Sequence, residues 1–250
     1  MEQTISPALQ EKISALQTII DNGKRIVFFG GAGVSTESGI KDFRSVDGLY
    51  HMKYKYNPET ILSHSFFLNH TEEFFEFYMD KIVQPTQNAA PNTAHTVLAQ
   101  LEAQGKLSTV ITQNIDGLHQ MAGSQNVLEL HGSIHRNYCM KCGAKYSLAE
   151  TLAHGDIPHC KCGGLIRPDV VLYEEPLNDT IITKAIHAIS SADLLIVGGT
   201  SLTVYPAAGF LDFYQGNKLV VINLDNTSYD SKAALTINGK IGEVLGQLAL

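Results

Sequence analysis

All four cysteines of the chain lie between positions 139 and 162, as a CxxC pair and a CxC pair with seventeen residues between them. They are Cys139, Cys142, Cys160 and Cys162. In a reducing compartment such a cluster is typical of metal ligands rather than of disulfides. Two thiolate pairs predict a tetrahedral zinc site, and because four protein ligands leave no position for water, we expect a structural zinc. The second pair is shorter than usual, which leaves His154 or His159 as an alternative ligand.

A glycine-rich segment at residues 30–36 directly follows the apolar residues 25–29, which have the character of a buried strand. Glycines at such a place allow a tight turn and let backbone N–H groups approach a phosphate. The dinucleotide-binding fingerprint needs a further glycine where Thr36 stands, and the absence of lysine disfavours a P-loop nucleotide hydrolase. Taken alone, the loop also fits a NAD-dependent dehydrogenase or an ordinary strand-to-helix turn. Beyond it, Phe43 is suited to cover a ring and Arg44 to hold a charge.

Two further apolar runs are each followed by a segment that contains polar residues. These segments are residues 113–119 and 129–133. Because ligands of open parallel sheets bind beyond the carboxyl ends of the strands, these side chains are placed for binding. Asn114 and Asp116 suit hydroxyls and an amide, although either also suits the N-cap of a following helix. The imidazole of His131 has an ordinary pKa near ~6.5 and is able to act as a base at neutral pH. Its position distinguishes it from the other nine histidines, so we predict His131 as the catalytic base.

The elements that must position these residues alternate between strands and helices. Ser6 and Pro7 predict a helix start, followed by apolar residues at helical spacing up to Gly23. The apolar runs are residues 25–29, 108–113, 193–197 and 218–223, and helical patterns precede the later ones. This alternation predicts an α/β fold with a mostly parallel sheet covered by helices on both faces.

Two stretches interrupt the alternation. Residues 50–84 are rich in aromatic side chains and look helical, whereas residues 134–168 are loop-rich and hold every cysteine. We interpret both as insertions that form a smaller lobe, one as a helical module and the other as a zinc-binding module. The larger lobe then comprises residues 1–49, 85–133 and 169–250.

The composition indicates a globular protein, because 44% of the 250 residues are hydrophobic and 17% are charged. The longest apolar runs have about five residues, far fewer than the ~20 that span a bilayer, and the first residues show no signal peptide. We therefore expect a cytoplasmic protein without a membrane partner. The net charge of -7 argues against nucleic acid as the main ligand. We also expect a monomer.

Seven motifs occur together in the order found in sirtuins, and nearly the whole chain resembles that family. The motifs are GAGVSTESGIKDFRS (31–45), TQNIDGLH (112–119), ELHGS (129–133), the two cysteine pairs, RPDVVLY (167–173), GGTSL (198–202) and VINLD (221–225). The resemblance implies a Rossmann-like domain with a smaller lobe made of a zinc module and a helical module. That fold agrees with the two insertions inferred above.

The resemblance also implies which residues contact NAD. The matching positions are Ala32, Thr36, Phe43, Arg44, Gln113, Ile115, Asp116, His131, Thr200, Ser201, Asn223 and Ile241. The last four match the residues that hold the adenosine half, while Ile115 and Asp116 match those that hold the nicotinamide carboxamide. Gln113 and Asn114 match residues that face the nicotinamide ribose, which makes Asn114 a catalytic residue beside His131.

The implied activity is NAD-dependent protein lysine deacetylation, with acetyl-lysine proteins or peptides as substrates. Residues 170–173 and 203–205 match two strands between which an extended peptide pairs by β-augmentation, so that Val170, Tyr173 and Val204 contact it. NAD is consumed, nicotinamide leaves, and the acyl group is transferred to ADP-ribose after His131 deprotonates the ribose 2′-hydroxyl through the neighbouring hydroxyl. A mono-ADP-ribosyltransferase on the same fold is the nearest alternative. A zinc-ribbon binding module with a degenerate enzyme domain is another.

Three departures from the family pattern bear on specificity. Lys41 occupies a position where proline is usual, and Glu174 replaces a glycine beside the peptide groove. Family members that prefer acidic acyl groups carry a Tyr-x-x-Arg pair, and the best match here pairs Tyr78 with Lys81. Lysine lacks the bidentate fork of arginine, so the sequence favours deacetylation over desuccinylation.

Overall fold

Nine strands form two sheets in the structure, a computed structural model that describes residues 6–42, 48 and 54–250. The strands are β1 (Ile26–Gly30), β2 (Leu107–Thr112), β3 (Val127–Glu129), β4 (Gly132–Cys139), β5 (Lys145–Ser147), β6 (Ile166–Val170), β7 (Leu194–Gly198), β8 (Leu219–Asn223) and β9 (Leu235–Asn238). Six of them form a parallel sheet in the order β3-β2-β1-β7-β8-β9. The strand order therefore reverses between β1 and β7, which is where an open α/β sheet binds its ligand.

Ten α-helices accompany the sheets within the described residues. They are α1 (Pro7–Asp21), α2 (Pro58–Ile61), α3 (His64–Asn69), α4 (Thr71–Tyr78), α5 (Gln84–Gln87), α6 (Thr93–Ala103), α7 (Leu118–Met121), α8 (Leu148–Leu152), α9 (Asp179–Ser191) and α10 (Ile241–Leu245). A π-helical turn, Met79–Val83, joins α4 to α5, and 3-10 turns occur at Ala32–Val34, Thr36–Ser38, Ala207–Phe213 and Asp230–Lys232. The expected fold class is confirmed.

Helices cover both faces of the parallel sheet, which explains why its central strands are apolar throughout. Every residue of β1 is buried. Phe28 packs on one face in a cluster that includes residues of α1, α6 and α10, while Phe29 packs on the other face with α9 and the 207–213 turn. A strand buried on both sides must be apolar at consecutive positions rather than at alternate ones. This explains why the apolar runs predicted the strands to within a residue or two.

The sequence patterns located the first helix but missed two features of the sheets. Ser6 caps α1, since its Oγ accepts a hydrogen bond from the backbone N–H of Leu9 at 3.3 Å. The edge strand β9 went unpredicted because it has only four residues and only Ile237 is buried. The cysteine-bearing segment was expected to be loop-rich, and the antiparallel sheet in the order β5-β4-β6 to which it contributes was not predicted.

An aromatic core lies between the antiparallel sheet and the helices from α2 to α4. Phe67 and Phe74 meet edge to face with their ring centroids 4.9 Å apart. Tyr78, Ile134 and Val170 belong to the same cluster, which is separate from the two clusters on the parallel sheet. Edge-to-face aromatic pairs add to the free energy gained by burial. The helical segment and the cysteine-bearing segment therefore share one core.

An ion pair between the buried Arg167 and the partly buried Glu175 joins β6 to the segment that follows it. Arg167 donates from Nη1 to Oε1 of Glu175 at 2.6 Å and from Nη2 to Oε2 at 3.0 Å, and Nη2 also bonds the carbonyl of Val170 at 2.9 Å. The Glu175 carboxylate is further bonded to Nδ1 of His64 at 2.7 Å and to the N–H of Leu172 at 2.9 Å. Burial raises the pKa of Glu175, but these hydrogen bonds outweigh it and lower the pKa to about 2.

Within residues 6–42, 48 and 54–250, no helix combines the length and the apolar character needed to cross a lipid bilayer.

Removing the arginine of this ion pair should be strongly destabilising. We expect Arg167→Ala to lower the free energy of unfolding by about 2–3 kcal/mol, because it leaves the partly buried Glu175 carboxylate without its cation. The matched control is Lys232→Ala, which breaks an ion pair to Asp212 in which both side chains are more than 60% exposed. That change should cost at most about 1 kcal/mol. Urea unfolding of both variants checks the prediction, and equal losses would contradict it.

Candidate functional site

Two loops cross at the switch point of the parallel sheet, one after β1 and the other after β7. The N–H of Gly33 donates to the carbonyl of Gly199 at 2.8 Å. A β-carbon at position 33 would lie 2.8 Å from the Gly199 backbone, and Gly199 itself has a φ of 58°. Only glycine fits both requirements, the close approach and the left-handed conformation. The glycine-rich loop is therefore fixed against the end of β7.

A small cleft opens beside this crossing, at the carboxyl ends of β1, β7, β8 and β9. It is lined by Gly33, Thr36, Gly199, Asn223, Leu224, Gly239, Lys240 and Ile241. Thr36 is thus brought together with Asn223 and Ile241, which lie 187 and 205 positions later in the sequence. Within the cleft wall the side chain of Thr36 bonds the carbonyl of Gly33 at 3.0 Å, and that of Asn223 bonds the carbonyl of Asp225 at 2.9 Å.

A buried hydrogen-bond network links the glycine-rich loop to the end of β2. Ser35 donates from Oγ to Oδ2 of Asp116 at 2.6 Å, and Asn114 donates from Nδ2 to the same hydroxyl at 3.0 Å. The second carboxylate oxygen of Asp116 accepts from the N–H of Leu118 at 3.0 Å. Because Asp116 is only 6% exposed, these donors are needed to offset its desolvation. Ser35 was not among the predicted site residues, although it lies within the first motif.

His131 lies between β3 and β4 with its imidazole held from one side. Its Nδ1 is 2.8 Å from the carbonyl oxygen of Gln113. Since a carbonyl only accepts, Nδ1 carries the proton and Nε2 carries a lone pair. Burial lowers the pKa of His131 more than the bond to the Gln113 carbonyl raises it. The side chain is therefore neutral at pH 7 and able to accept a proton at Nε2.

Two backbone features hold His131 in place. The carbonyl of His131 accepts from the N–H of Val171 at 2.9 Å. The next residue, Gly132, has a φ of 80° and passes so close to the backbone of Asp169 that no side chain would fit. The histidine is thus anchored to the antiparallel sheet, while its ring bonds the parallel one.

The remaining predicted residues near β2 have identifiable partners. Gln113 donates from Nε2 to Oγ1 of Thr200 at 3.1 Å, which joins the ends of β2 and β7. Ile115 packs against the aromatic core, and its carbonyl accepts from the N–H of Ile134 at 3.1 Å.

Other predicted residues lie away from β2. Ser201 is exposed and bonds Thr203 at 2.8 Å. Ala32 begins the 3-10 turn of the glycine-rich loop and is partly buried. Phe43 and Arg44 lie outside the described residues.

A support behind the glycine-rich loop was not predicted from the sequence. Asn92, the N-cap of α6, donates from Nδ2 to the carbonyl of Val34 at 2.7 Å and to Oγ of Ser38 at 3.0 Å. Nearby, burial lowers the pKa of His95 to about 4 and that of His119 to about 3. Both histidines are therefore neutral in the core at pH 7. The only local signal for Asn92 was its suitability as a helix cap.

The four cysteines lie close together with their sulfur atoms within 4.8 Å of one another. Sγ of Cys139 is 3.5 Å from that of Cys162, and Sγ of Cys142 is 3.6 Å from that of Cys160. A tetrahedral zinc with bonds of ~2.3 Å would separate its sulfur ligands by about 3.8 Å. The cluster therefore fits a zinc ion with four thiolate ligands.

Neighbouring donors favour the thiolate form of Cys160. The backbone N–H of Cys162 and the hydroxyl of Tyr146, 3.0 Å from Sγ, lower the pKa of Cys160 to about 6. His159 is exposed and bonds the carbonyl of Ile157. Among the described residues the metal-binding group contains neither His154 nor His159, so the CxC spacing does not call for a histidine ligand.

The predicted substrate residues lie in different environments. Val170 is buried in the aromatic core at the end of β6, and Val204 is partly buried. Tyr173 bonds through its N–H to the carbonyl of Leu62 and through its carbonyl to the N–H of His64, both at 3.0 Å. These contacts attach the segment after β6 to the start of α3.

Tyr78 and Lys81 occupy the end of α4 and the π-helical turn. The Tyr78 ring stacks on Phe74 at 5.6 Å, and its buried hydroxyl has no hydrogen-bond partner among the described residues. Lys81 bonds Asp80 at 2.7 Å, so its ammonium is held by its own neighbour. The wider turn avoids a clash between the Pro85 ring and the Lys81 carbonyl that an α-helix would impose.

Comparison with known proteins gives a consistent result. The family model described as Sir2 family matches residues 31–206. The chain is 58% identical over 241 residues to a NAD-dependent protein deacetylase of Clostridium acetobutylicum, which covers 95% of this chain and 98% of that protein. It is 57% identical over 244 residues to a NAD-dependent protein deacetylase of Clostridium perfringens, with 96% and 99% covered.

Solved structures with the same fold carry ligands that bear on the site. Sir2 with a p53 peptide and NAD+ matches with a TM-score of 0.84 at 39% identity, covering 94% of this chain and 96% of that one. Sir2 with a histidine-to-alanine substitution, a deacetylated p53 peptide and 3′-O-acetyl ADP ribose matches with a TM-score of 0.86 at 39% identity and the same coverage.

Loss of one cysteine should remove both the metal and part of the stability. We expect purified protein to contain about one zinc per chain, and Cys142→Ser to lose it and melt roughly 5–10 °C lower. Lys161→Ala, a change between the two ligands of the second pair, is the control and should keep its zinc. Elemental analysis and thermal melts test this. A metal-free Cys142→Ser protein with an unchanged Tm would rule out a structural role.

Proposed function

The chain belongs to the Sir2 family, and we propose that it is a NAD-dependent protein lysine deacetylase. The observation that carries this proposal is the neutral His131, with a lone pair on Nε2, at the same edge of the parallel sheet as the glycine-rich loop. The relatives in two Clostridium species bear the name of this activity. One structural neighbour holds a deacetylated peptide together with an acetyl ADP ribose, which are products of such a reaction.

The proposed NAD site extends along the carboxyl edge of the parallel sheet. The cleft at Thr36, Asn223 and Ile241 is placed for the adenosine half, with Thr200 and Ser201 on the neighbouring β7 loop. The diphosphate would lie over the loop that begins at Ala32, where backbone N–H groups are available at the start of 3-10 turns. From the motif that they share with the family, we assign Arg44 to the diphosphate and ribose and Phe43 to the nicotinamide end of the cofactor.

The nicotinamide end would then lie at the residues after β2. Asp116, with Ile115 beside it, is placed to hold the carboxamide, and Gln113 and Asn114 to face the ribose. This arrangement is supported by the network that fixes these side chains, because a preorganised polar site spends little free energy on reorganisation. Asn114 belongs to it through its bond to Ser35.

The reaction consumes NAD as a substrate. The acetyl-lysine amide oxygen displaces nicotinamide from the ribose carbon. His131 then deprotonates the ribose 2′-hydroxyl through the neighbouring hydroxyl, so that the 2′-oxygen bonds the acetyl carbon. The departing lysine amine takes up a proton, and one water is consumed overall. Free lysine, nicotinamide and O-acetyl-ADP-ribose are the products. A NAD-dependent dehydrogenase would instead release no nicotinamide, and a mono-ADP-ribosyltransferase would leave ADP-ribose on protein.

We infer two lobes with the substrate between them. Residues 1–49, 85–133 and 169–250 form the larger lobe, and residues 50–84 with 134–168 form the smaller. Separate hydrophobic clusters on the parallel sheet and around the antiparallel sheet support this division. The zinc would hold the two cysteine turns of the smaller lobe together, away from the reacting atoms.

The acyl group is assigned to an apolar pocket near Ile115, Val170 and the aromatic core. The peptide on either side of it would contact Tyr173 and Val204. An acetyl group needs no charge partner in such a place, whereas an unpaired succinyl carboxylate would cost several kcal/mol. Lys81 is engaged by Asp80, which supports a preference for neutral acyl groups.

Removal of the proposed base should stop turnover without preventing NAD binding. We expect His131→Ala to abolish NAD-dependent deacetylation of the peptide, while the Kd for NAD changes by less than about tenfold, or about 1.4 kcal/mol. His159→Ala, which alters an exposed histidine near the cysteines, should retain activity. Quantification of the deacetylated peptide by chromatography tests turnover, and titration calorimetry with NAD tests binding. Near-normal turnover in a folded His131→Ala protein would remove this residue from the mechanism.

The rate should fall in acid at a pH set by His131. Burial lowers its pKa below the ordinary 6.5, so the active neutral form persists into mildly acidic solution. We expect kcat/KM to be flat through neutral pH and to decline with a midpoint below 6.5. A pH profile from 5 to 8.5 measures this. A midpoint above 6.5 would mean that the imidazole is not desolvated as described.

Acetyl-lysine peptides should be better substrates than succinyl-lysine peptides of the same sequence. We expect at least a ~10-fold difference in kcat/KM, or about 1.4 kcal/mol. Lys81→Arg should narrow the gap only if position 81 faces the pocket. Mass-spectrometric rates on matched peptides decide the matter, and similar efficiencies on both would mean that Lys81 does bind the carboxylate.

A further inference from the structure

Glu174 adopts a backbone conformation that suits glycine. Its φ is 74°, in the left-handed region that residues with a β-carbon seldom occupy. The sirtuin pattern has glycine at this place, so the glutamate is a departure within a structure that keeps the glycine conformation. A strained residue persists only where its surroundings hold it.

The Glu174 side chain stabilises this backbone conformation through two hydrogen bonds. Its Oε2 accepts from the backbone N–H of Ser65 at 2.9 Å, and its Oε1 accepts from the Ser65 hydroxyl at 2.9 Å. Ser65 lies in the first turn of α3. The neighbouring Glu175 bonds His64 in the same turn, so two consecutive carboxylates attach the segment after β6 to one helix. With glycine at position 174, only the bond between Glu175 and His64 would attach this segment to α3 through a carboxylate.

The backbone of Glu174 differs from that of its neighbours in its hydrogen bonding. Val171 bonds His131, Tyr173 bonds Leu62 and His64, and Leu172 accepts from the N–H of Glu175. Across the described residues, the N–H and C=O of Glu174 have no hydrogen-bond partner. These two groups are what an extended peptide needs in order to pair with this segment.

We propose that Glu174 is a positioning residue of the substrate groove: its carboxylate clamps the turn to α3, so that its own backbone N–H and C=O form a fixed edge for the acyl-lysine peptide. The inference rests on the proposed deacetylase function. It differs from charge recognition, because the carboxylate acts on Ser65 and not on the peptide. Fixing the edge before binding lowers the entropic cost of pairing.

Two variants of one residue test the clamp. Glu174→Gly removes it and relaxes the backbone, whereas Glu174→Gln keeps an oxygen that accepts from the Ser65 N–H but removes the charge. We expect Glu174→Gly to raise the KM for an acetyl-lysine peptide about five- to tenfold with the KM for NAD unchanged. Glu174→Gln should stay within about twofold of the unmodified protein for both substrates. An unchanged peptide KM in Glu174→Gly, or a Glu174→Gln protein as impaired as Glu174→Gly, would overturn the proposal.

Hydrogen exchange tests the clamp without relying on turnover. The amide of Ser65 should exchange faster in Glu174→Gly, because it loses its acceptor, and should stay protected in Glu174→Gln. Protection that is equal in all three proteins would refute the clamp even in an active enzyme. A protein that lacks deacetylase activity but shows the expected exchange would refute the proposed function and leave the clamp standing.

Discussion

The N–H of Gly33 and the carbonyl of Gly199 meet at 2.8 Å, and neither position has room for a side chain. This contact fixes the glycine-rich loop where the strand order reverses. From there Ser35 reaches Asp116, and Asn92 supports the loop from behind through Val34. The site is therefore built outward from one backbone crossing, and a β-carbon at that crossing would displace every one of these contacts.

Hydrogen bonds also connect the parallel sheet to the antiparallel sheet. His131 bonds the parallel sheet through its ring and the antiparallel sheet through its carbonyl, so its imidazole is fixed by both. Beyond it, Arg167 and Glu175 hold the segment after β6 against α3 with a bidentate ion pair. The proposed catalytic base and substrate edge are thus joined through a few backbone hydrogen bonds and one partly buried ion pair.

Sequence patterns predicted the elements and ligands that depend on residues close together in the chain. Runs such as Leu194–Gly198 are apolar because helices cover both faces, and the cysteine spacing reflects the ligand geometry of one ion. The position of His131 after a strand was visible for the same reason. Ser35 and Asn92 were missed because their roles depend on partners 81 and 58 positions away. The edge strand β9 and the antiparallel sheet likewise depend on pairing between distant segments, which no local pattern encodes.

The central claim is that the site transfers an acetyl group from lysine to ADP-ribose with loss of nicotinamide. A product balance by mass spectrometry tests it most directly, with one acetyl-lysine peptide incubated with and without NAD. The account predicts equal amounts of deacetylated peptide, nicotinamide and O-acetyl-ADP-ribose, and none of them without NAD. Formation of NADH, transfer of ADP-ribose to protein without deacetylated peptide, or deacetylation that proceeds without NAD would contradict it.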